Sequence, residues 1–119
     1  MSDTTFGSYL RERRLALRAQ GARFSLRAVA RAAELEPSYL SKIERGEQPP
    51  PSEERIKALA GVLGEDPDVL LALAGKVSDD LLRVIRRRPH LFAELIRQLG
   101  ALPDSSVLRI VREVRDGTW

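Results

Sequence analysis

Three hydrogen-bonding side chains, Ser38, Ser41 and Lys42, are spaced so that they share one face of a helix. Pro37 suits the first position of that helix because its missing N–H would have no partner there, so we predict a helix over residues 37–45. The opposite face carries the apolar residues that we expect to point inward, Leu40 and Ile43. The outward hydroxyl and amino groups are therefore free to contact a partner.

The sequence contains no recognisable set of catalytic or metal-binding residues. It has no Cys and a single histidine, His90, so neither a Cys-rich zinc site nor a His cluster can form. No Ser/His/Asp set, phosphate-binding loop or HExxH motif is present in the sequence. We therefore expect no enzymatic activity, no metal and no cofactor.

Positive charge is concentrated in the first part of the chain. Residues 1–46 carry nine Lys and Arg against five Asp and Glu, whereas residues 47–76 carry three against six. This distribution favours a polyanion approaching one face, although a solvated Arg-rich surface would explain the charge about as well. The longest apolar run, residues 69–74, is too short for a membrane span, and the first residues do not resemble a signal peptide. We expect a cytoplasmic protein without membrane contact.

The composition favours an all-α fold, because Leu, Ala, Arg and Glu are frequent and aromatic residues make up only 5% of the chain. Start and stop residues divide it into eight predicted helices. These cover residues 6–19, about nine residues after Ser25, residues 37–45, the segment between Ser52 and Gly64, and the segments Pro67 to Gly75, Ser78 to Arg87, Pro89 to Gln98, and Pro103 to Arg115.

The predicted helices separate into two domains, residues 1–75 and residues 76–119. Apolar residues recur at helical spacing in the last two helices: Phe92, Leu95, Ile96, Leu99, Val107, Ile110, Val111 and Val114. A segment of about 43 residues does not readily form its own core, so we expect these stripes to be buried in a homodimer, with higher oligomers left open. The alternative is a monomer in which the stripes fold back onto the first five helices.

The segment from Ser25 to Gly46 contains the string Pro-Ser-Tyr-Leu-Ser-Lys-Ile-Glu-Arg-Gly and is followed by Pro-Pro-Pro-Ser-Glu-Glu and Leu59-Ala60. Over roughly residues 6–74 the chain closely resembles the lambda-repressor-like (XRE) family of transcriptional regulators. The resemblance implies a five-helix DNA-binding domain with a helix-turn-helix motif. The predicted fold is then this domain followed by a short three-helix dimerisation element.

The resemblance also implies which residues contact double-stranded DNA. The third helix enters the major groove and presents Pro37, Ser38, Ser41 and Lys42 to the bases, with Tyr39 at the edge of the contact. The residues expected at phosphates are Ser25, Arg27, Arg31 and Arg45. The family also pairs an arginine of the first helix with a glutamate of the third, which implies a structural ion pair between Arg14 and Glu44.

Three residues depart from the family pattern. Leu26 stands where a glutamine is frequent, so a polar DNA contact is missing there. Glu34 stands where a turn glycine is usual, and a left-handed backbone would cost it about 1 kcal/mol. Glu36 stands where a serine cap is common; its carboxylate repels phosphates, but it can accept from a cytosine amino group.

The C-terminal part resembles that of repressors paired with ImmA/IrrE-type zinc metallopeptidases, which govern stress-response and phage-defence operons, including CBASS operons. The resemblance implies cleavage in this region, and we place it at Leu91, Phe92 and Ala93. The alternative, which we favour, is that Leu91 and Phe92 are ordinary core residues.

The sequence therefore predicts a sequence-specific repressor that binds a palindromic operator as a homodimer and regulates its own operon. One alternative is an antitoxin-like or restriction-modification control protein. Another is a helical protein-interaction module whose arginines are only solvated.

Overall fold

The computed structural model of the chain describes residues 5–117, which form eight α-helices, one short 3-10 helix and no strand. In chain order the α-helices are α1 (Phe6–Arg18), α2 (Leu26–Ala32), α3 (Pro37–Glu44), α4 (Glu53–Leu63), α5 (Pro67–Leu73), α6 (Asp79–Arg87), α7 (Pro89–Gly100) and α8 (Asp104–Asp116). They group into two compact units, the first ending at Ser78 and the second beginning at Asp79. The expected all-α fold is confirmed.

Side-chain caps begin most helices of the first unit. Thr5 and Ser25 each accept a hydrogen bond from the amide three residues further on, at 3.1 and 3.2 Å. Ser52 and Asp66 cap α4 and α5 in a similar way. Each bond satisfies an amide that would otherwise lack a partner at the helix start. Gly64 ends α4 in a left-handed conformation, with φ 66°, which glycine adopts without strain.

A single hydrophobic core joins the helices of the first unit. Leu40 and Ile43 of α3 are buried in it, as expected from their spacing. The core consists of Phe6, Leu10, Leu17, Phe24, Val29, Ala30, Ala33, Leu40, Ile43, Ile56, Leu59, Ala60, Leu63, Leu70 and Leu71. Because α3 contributes its apolar face to this core, the orientation of its polar face is set by the packing of the whole unit.

The connection between α1 and α2 differs from the sequence prediction. We predicted no helix between residue 19 and Ser25, but residues Ala22–Phe24 form a 3-10 helix that buries the ring of Phe24. The Arg23 guanidinium lies 4.8 Å from the centre of that ring. The 3-10 turn therefore adds an apolar residue to the core immediately before α2.

Helix α2 has seven residues, fewer than the nine expected, because it ends in a turn at Ala33 and Glu34. The amide of Leu35 donates to the Ala30 carbonyl at 2.8 Å, and the amide of Glu34 donates to the Arg31 carbonyl at 3.0 Å. This pattern closes a helix and requires a left-handed residue after its last turn. Glu34 has φ 58°, so the family's turn geometry is retained without the glycine.

The first unit extends to Ser78, beyond the expected boundary after Gly75. Lys76 explains the extension: its amide donates to the Leu71 carbonyl at 2.8 Å, and its ammonium group donates to the Pro51 carbonyl at 3.2 Å. Ser78 is buried. Lys76 is thus anchored to the first unit through both its backbone and its side chain.

The second unit consists of α6, α7 and α8, and none of its described residues is buried. Helices α6 and α7 contact each other. Of the eight apolar residues expected in a dimer interface, Phe92, Leu99 and Val107 are half-buried, and the rest are exposed: Leu95, Ile96, Ile110, Val111 and Val114. The stripes are therefore left largely uncovered in one chain.

Candidate nucleic-acid interface

The polar face of α3 is presented to solvent. Ser38 and Lys42 are exposed, whereas Pro37, Tyr39 and Ser41 are half-buried. Neither Ser38 nor Lys42 is held by a side-chain hydrogen bond or an ion pair among the described residues. Their donor groups are therefore available to a ligand that lies along this face.

Helix α2, the turn that follows it and the beginning of α3 form a surface cleft of about 740 Å³. Its lining residues are Arg27, Arg31, Glu34, Leu35, Glu36, Pro37 and Ser38. Two of the arginines expected at phosphates thus lie together with two of the residues expected at bases. Both arginines are exposed, and no ion pair occupies either of them among the described residues. The cleft can accept an anion beside the beginning of α3.

Ser41 and Arg45 lie in a second, smaller cleft of about 200 Å³, which they share with Arg11 and Arg14 of α1, Leu26 of α2 and Glu44. Arg11 is exposed and was missed in the sequence analysis, although it lies three residues before Arg14 and therefore on nearly the same side of α1. Arg45 is partly neutralised by Glu47, whose carboxylate lies 3.1 Å away. Arg11 is accordingly a further cation available at this end of α3.

Ser25 is half-buried and caps α2 through its hydroxyl oxygen, which accepts from the Ala28 amide at 3.2 Å. A hydroxyl has both donor and acceptor capacity, so the proton of Ser25 can still be donated to a phosphate oxygen. Ser25 is not among the residues that line the cleft holding Arg27.

The turn before α3 is held by an ion pair with α4. The Glu34 carboxylate lies 2.7 Å from the Arg55 guanidinium. Glu36 occupies the position before Pro37 with extended backbone angles, φ −67° and ψ 134°, which is the conformation that a following proline favours. Unlike the caps of α1, α2, α4 and α5, Glu36 forms no side-chain hydrogen bond to its helix.

Helix α1 supports the other end of α3. Arg14 donates two hydrogen bonds of 2.8 Å to the carboxylate of Glu44, and both side chains are buried. Hydrogen bonding to Glu44 raises the pKa of Arg14, against the opposing effect of burial. Gly7 lies against the same end of α3, because a Cβ atom at this position would be 2.1 Å from the Ile43 carbonyl oxygen.

A second contact holds α1 to the segment after α4. The Tyr9 hydroxyl donates to Glu65 Oε2 at 3.0 Å, and Arg13 forms an ion pair with Glu65 Oε1 at 2.8 Å. The hydrogen bond to Glu65 raises the pKa of Tyr9, and burial acts in the same direction. Helix α1 is therefore held by α3 at one contact and, through two of its side chains, by Glu65 at the other.

The structure brings no metal-binding group together within residues 5–117, where no three His, Asp or Glu side chains are arranged to hold an ion. His90 lies exposed on α7, in the second unit. Across the same residues, no helix has the length and the apolar character that crossing a membrane requires.

Comparison with known families agrees with this geometry. Residues 5–73, which include the whole of α1 to α5, match the family model described as a helix-turn-helix domain. No curated protein and no solved structure matches the chain. Because the family match spans more than half of the 119 residues, the chain belongs to the helix-turn-helix domain family, in support of a DNA-binding regulator of the lambda-repressor-like (XRE) kind.

Proposed function

We propose that this protein is a sequence-specific transcriptional repressor that binds a palindromic operator as a homodimer. The observation that carries the proposal is the solvent-facing polar side of α3, whose Ser38 and Lys42 have no partner side chain among the described residues. The opposite side of the same helix is fixed in the core by Leu40 and Ile43. A rigid helix with free donors on one side is suited to the major groove.

Lys42 and Ser38 are the residues we assign to base recognition. The Lys42 ammonium group can donate to O6 and N7 of guanine, and the Ser38 hydroxyl can donate to or accept from several bases. Pro37 offers only apolar contact, which suits a thymine methyl group. Ser41 and Tyr39 are half-buried and contribute at the edge of the contact.

Arg27 and Arg31 are the phosphate ligands we place nearest to the bases, because both line the cleft that reaches Ser38. We assign Ser25, Arg45 and the additional Arg11 to DNA phosphates further from the bases that Ser38 contacts. Such contacts orient the protein on DNA without carrying sequence information. They also make binding sensitive to salt, since each neutralised phosphate releases counterions.

The second unit supports the homodimer, with a second copy of this chain as the occupant of its apolar stripes. Large apolar side chains such as Leu95, Val111 and Val114 are exposed in one chain, and exposure of this extent on neighbouring helices marks an interaction surface. One helix-turn-helix motif contacts only a few base pairs, so two linked motifs gain affinity through their high effective concentration.

Repression follows if the occupied operator overlaps the start of transcription. We place that operator before the protein's own operon, and we place the protein in the cytoplasm. Relief of repression is proposed to involve an ImmA/IrrE-type metallopeptidase that cuts at Leu91, Phe92 and Ala93. Leu91 is 68% exposed in α7 and so is not the core residue that the favoured alternative expected, which supports access. These residues are helical, and a protease binds extended chain, so α7 must unwind locally before cleavage.

Cleavage can be tested by incubating the repressor with a metallopeptidase encoded beside it and identifying fragments by mass spectrometry. A cut within residues 91–93 that releases DNA supports this part of the proposal. If the protein stays uncut under these conditions, the peptidase is removed from the proposal. The proposal that the protein binds DNA is then unaffected.

DNA binding is tested by titrating the upstream region with wild type, Lys42→Ala and Lys57→Ala at two salt concentrations. We expect Lys42→Ala to lose about tenfold in preference for the operator over unrelated DNA. Lys57→Ala is the control, since Lys57 lies on α4 and pairs with Glu53 at 3.2 Å.

The same titration separates the alternatives. Binding without salt dependence and without a preferred site would contradict the repressor and favour a protein-interaction module. An antitoxin-like or restriction-modification control protein would also bind an operator; the neighbouring genes distinguish it from an independent repressor.

A further inference from the structure

Glu36 is the exception among the residues that begin the helices of the first unit. The residues before α1, α2, α4 and α5 each use a side-chain oxygen to cap their own helix, whereas Glu36 forms no such bond to α3. Its side chain is exposed, and the proline at the first helical position is not the reason for the missing bond, because Asp66 caps α5 although Pro67 follows it. The Glu36 carboxylate is therefore not engaged by its own helix.

The neighbouring charges do not engage Glu36 either. It shares the cleft of about 740 Å³ with Arg27, Arg31 and Glu34, but no ion pair joins it to either arginine among the described residues. The other carboxylate in the cleft, Glu34, is paired with Arg55 at 2.7 Å. Glu36 is thus an unpaired negative charge one residue before the helix that we assign to DNA.

An unpaired carboxylate at a DNA interface weakens binding unless the DNA supplies a donor to it, because it repels phosphates. A carboxylate can only accept hydrogen bonds. In the major groove the donors are the N4 amino group of cytosine and the N6 amino group of adenine, while guanine and thymine present O6 and O4 acceptors. Adenine also presents N7 beside its amino group, which would repel the second carboxylate oxygen.

We propose that Glu36 is a specificity-determining residue that selects cytosine at one position of each operator half-site by accepting a hydrogen bond from N4. This inference rests on the proposed function, since it concerns how the same interface chooses its sequence. Guanine, thymine and adenine at that position place an acceptor against the carboxylate. Arg27 and Arg31 reduce the local repulsion by binding the adjacent phosphates, so the carboxylate can approach the base edge.

The test is a selection of binding sites from random duplex DNA with full-length wild type, Glu36→Ala and Glu36→Gln. Wild type is expected to enrich cytosine at one position in each half-site, and Glu36→Ala to reduce that preference by about tenfold while other positions stay unchanged. Glu36→Gln is expected to shift the preference to adenine, since an amide can accept from N6 and donate to N7. Glu12→Gln, an exposed carboxylate of α1, is the control for the change in net charge.

Modified bases supply a second readout on the selected site. N4-methylcytosine places a methyl group where the carboxylate would bind and should weaken binding of wild type but not of Glu36→Ala. 5-Methylcytosine retains the amino donor and serves as the matched duplex.

Two results overturn the inference alone: identical selected sequences for wild type and Glu36→Ala, or a uniform gain in affinity for Glu36→Ala with no change at any position. Folding of each variant is checked by thermal unfolding, and because the Glu36 side chain has no hydrogen-bond or ion-pair partner within residues 5–117, we expect Tm to be preserved. If wild type selects no sequence at all, the proposed function fails, which is a different result from a selected sequence that ignores Glu36.

Discussion

The guanidinium of Arg14 and the carboxylate of Glu44 face each other in two hydrogen bonds of 2.8 Å, buried between α1 and the end of the recognition helix. Paired donors and acceptors in this arrangement fix both distance and angle. Since Glu44 is the last residue of α3, the pair fixes the end of α3 that lies away from the turn. The polar face of α3 is thus oriented from both ends, by the turn at Glu34 and by α1.

Removing one member of this pair should destabilise the first unit. Arg14→Ala is expected to lower the free energy of unfolding by about 3 kcal/mol, because it leaves a buried carboxylate without its partner. Denaturant titration measures the loss. Arg45→Ala is the control: its pair with Glu47 is solvent-exposed and should contribute less than about 1 kcal/mol. Equal losses in the two variants would contradict a structural role for Arg14.

The contact of Gly7 with α3 leads to a second prediction. In Gly7→Ala the new methyl group would lie 2.1 Å from the Ile43 carbonyl oxygen, so α1 must move away from α3. We expect a loss of about 1–3 kcal/mol in unfolding free energy, as overpacking usually causes, together with weaker DNA binding. Gly61→Ala in α4 has nothing within 4 Å of the added atom and should be neutral or stabilising by up to about 1 kcal/mol. A stable Gly7→Ala that binds DNA normally would show that α1 does not position the recognition helix.

Glu34 combines an unfavourable backbone with a favourable ion pair. Glu34→Ala and Glu34→Gly both remove the pair with Arg55, but only glycine also relieves the positive φ of 58°. Glu34→Gly is therefore expected to be more stable than Glu34→Ala by about 1 kcal/mol. Thermal unfolding of both variants compares them directly. A pair of equally stable variants would mean that the turn changes conformation when the side chain is removed.

The hydrogen bond between Tyr9 and Glu65 makes stability depend on alkaline pH. The pKa of Tyr9 is raised above its ordinary value of 10.0, so the unfolded chain loses this proton at a lower pH than the folded chain. The stabilisation is complete below pH 10.0 and is lost as the pH rises through the folded pKa. Denaturant titrations at about pH 8 to 11 and constant ionic strength measure the free energy of unfolding. This free energy should fall more steeply with pH for wild type than for Tyr9→Phe. Tyr39→Phe, which retains the Tyr9 bond, should keep the wild-type slope.

Local signals predicted much of the first unit. Caps such as Ser25 and Ser52 and the apolar spacing of Leu40 and Ile43 act within a few residues, so the sequence alone is sufficient to place them. The 3-10 turn that buries Phe24 was missed because Gly21 indicates a break, whatever structure follows it.

Contacts between distant segments could be predicted only in part. The Arg14–Glu44 pair was expected from the resemblance, but nothing local links Glu34 to Arg55 or Tyr9 to Glu65. From the sequence, Gly7 is only a residue of low helix propensity. The packing of α1 on α3 shows why a side chain is excluded there. The candidate interface was therefore predictable in its residue types along α3, whereas the residues that hold α3 in place needed the structure.

The uncovered stripes of the second unit lead to the last prediction. A chain that ends at Ser78 retains the core and the anchoring bonds of Lys76, so it should remain folded. Without the exposed apolar residues of α7 and α8 it should be monomeric and should bind the operator at least tenfold more weakly at about the same salt concentration, since the gain from linking two motifs is lost. Sedimentation and gel-shift titration measure the two effects. In the full chain, Leu95→Asp with Val111→Asp should reproduce both, whereas Ser105→Asp on the exposed first turn of α8 should change neither. A truncated protein that still dimerises would place the interface in the first unit, and the stripes would then need another partner.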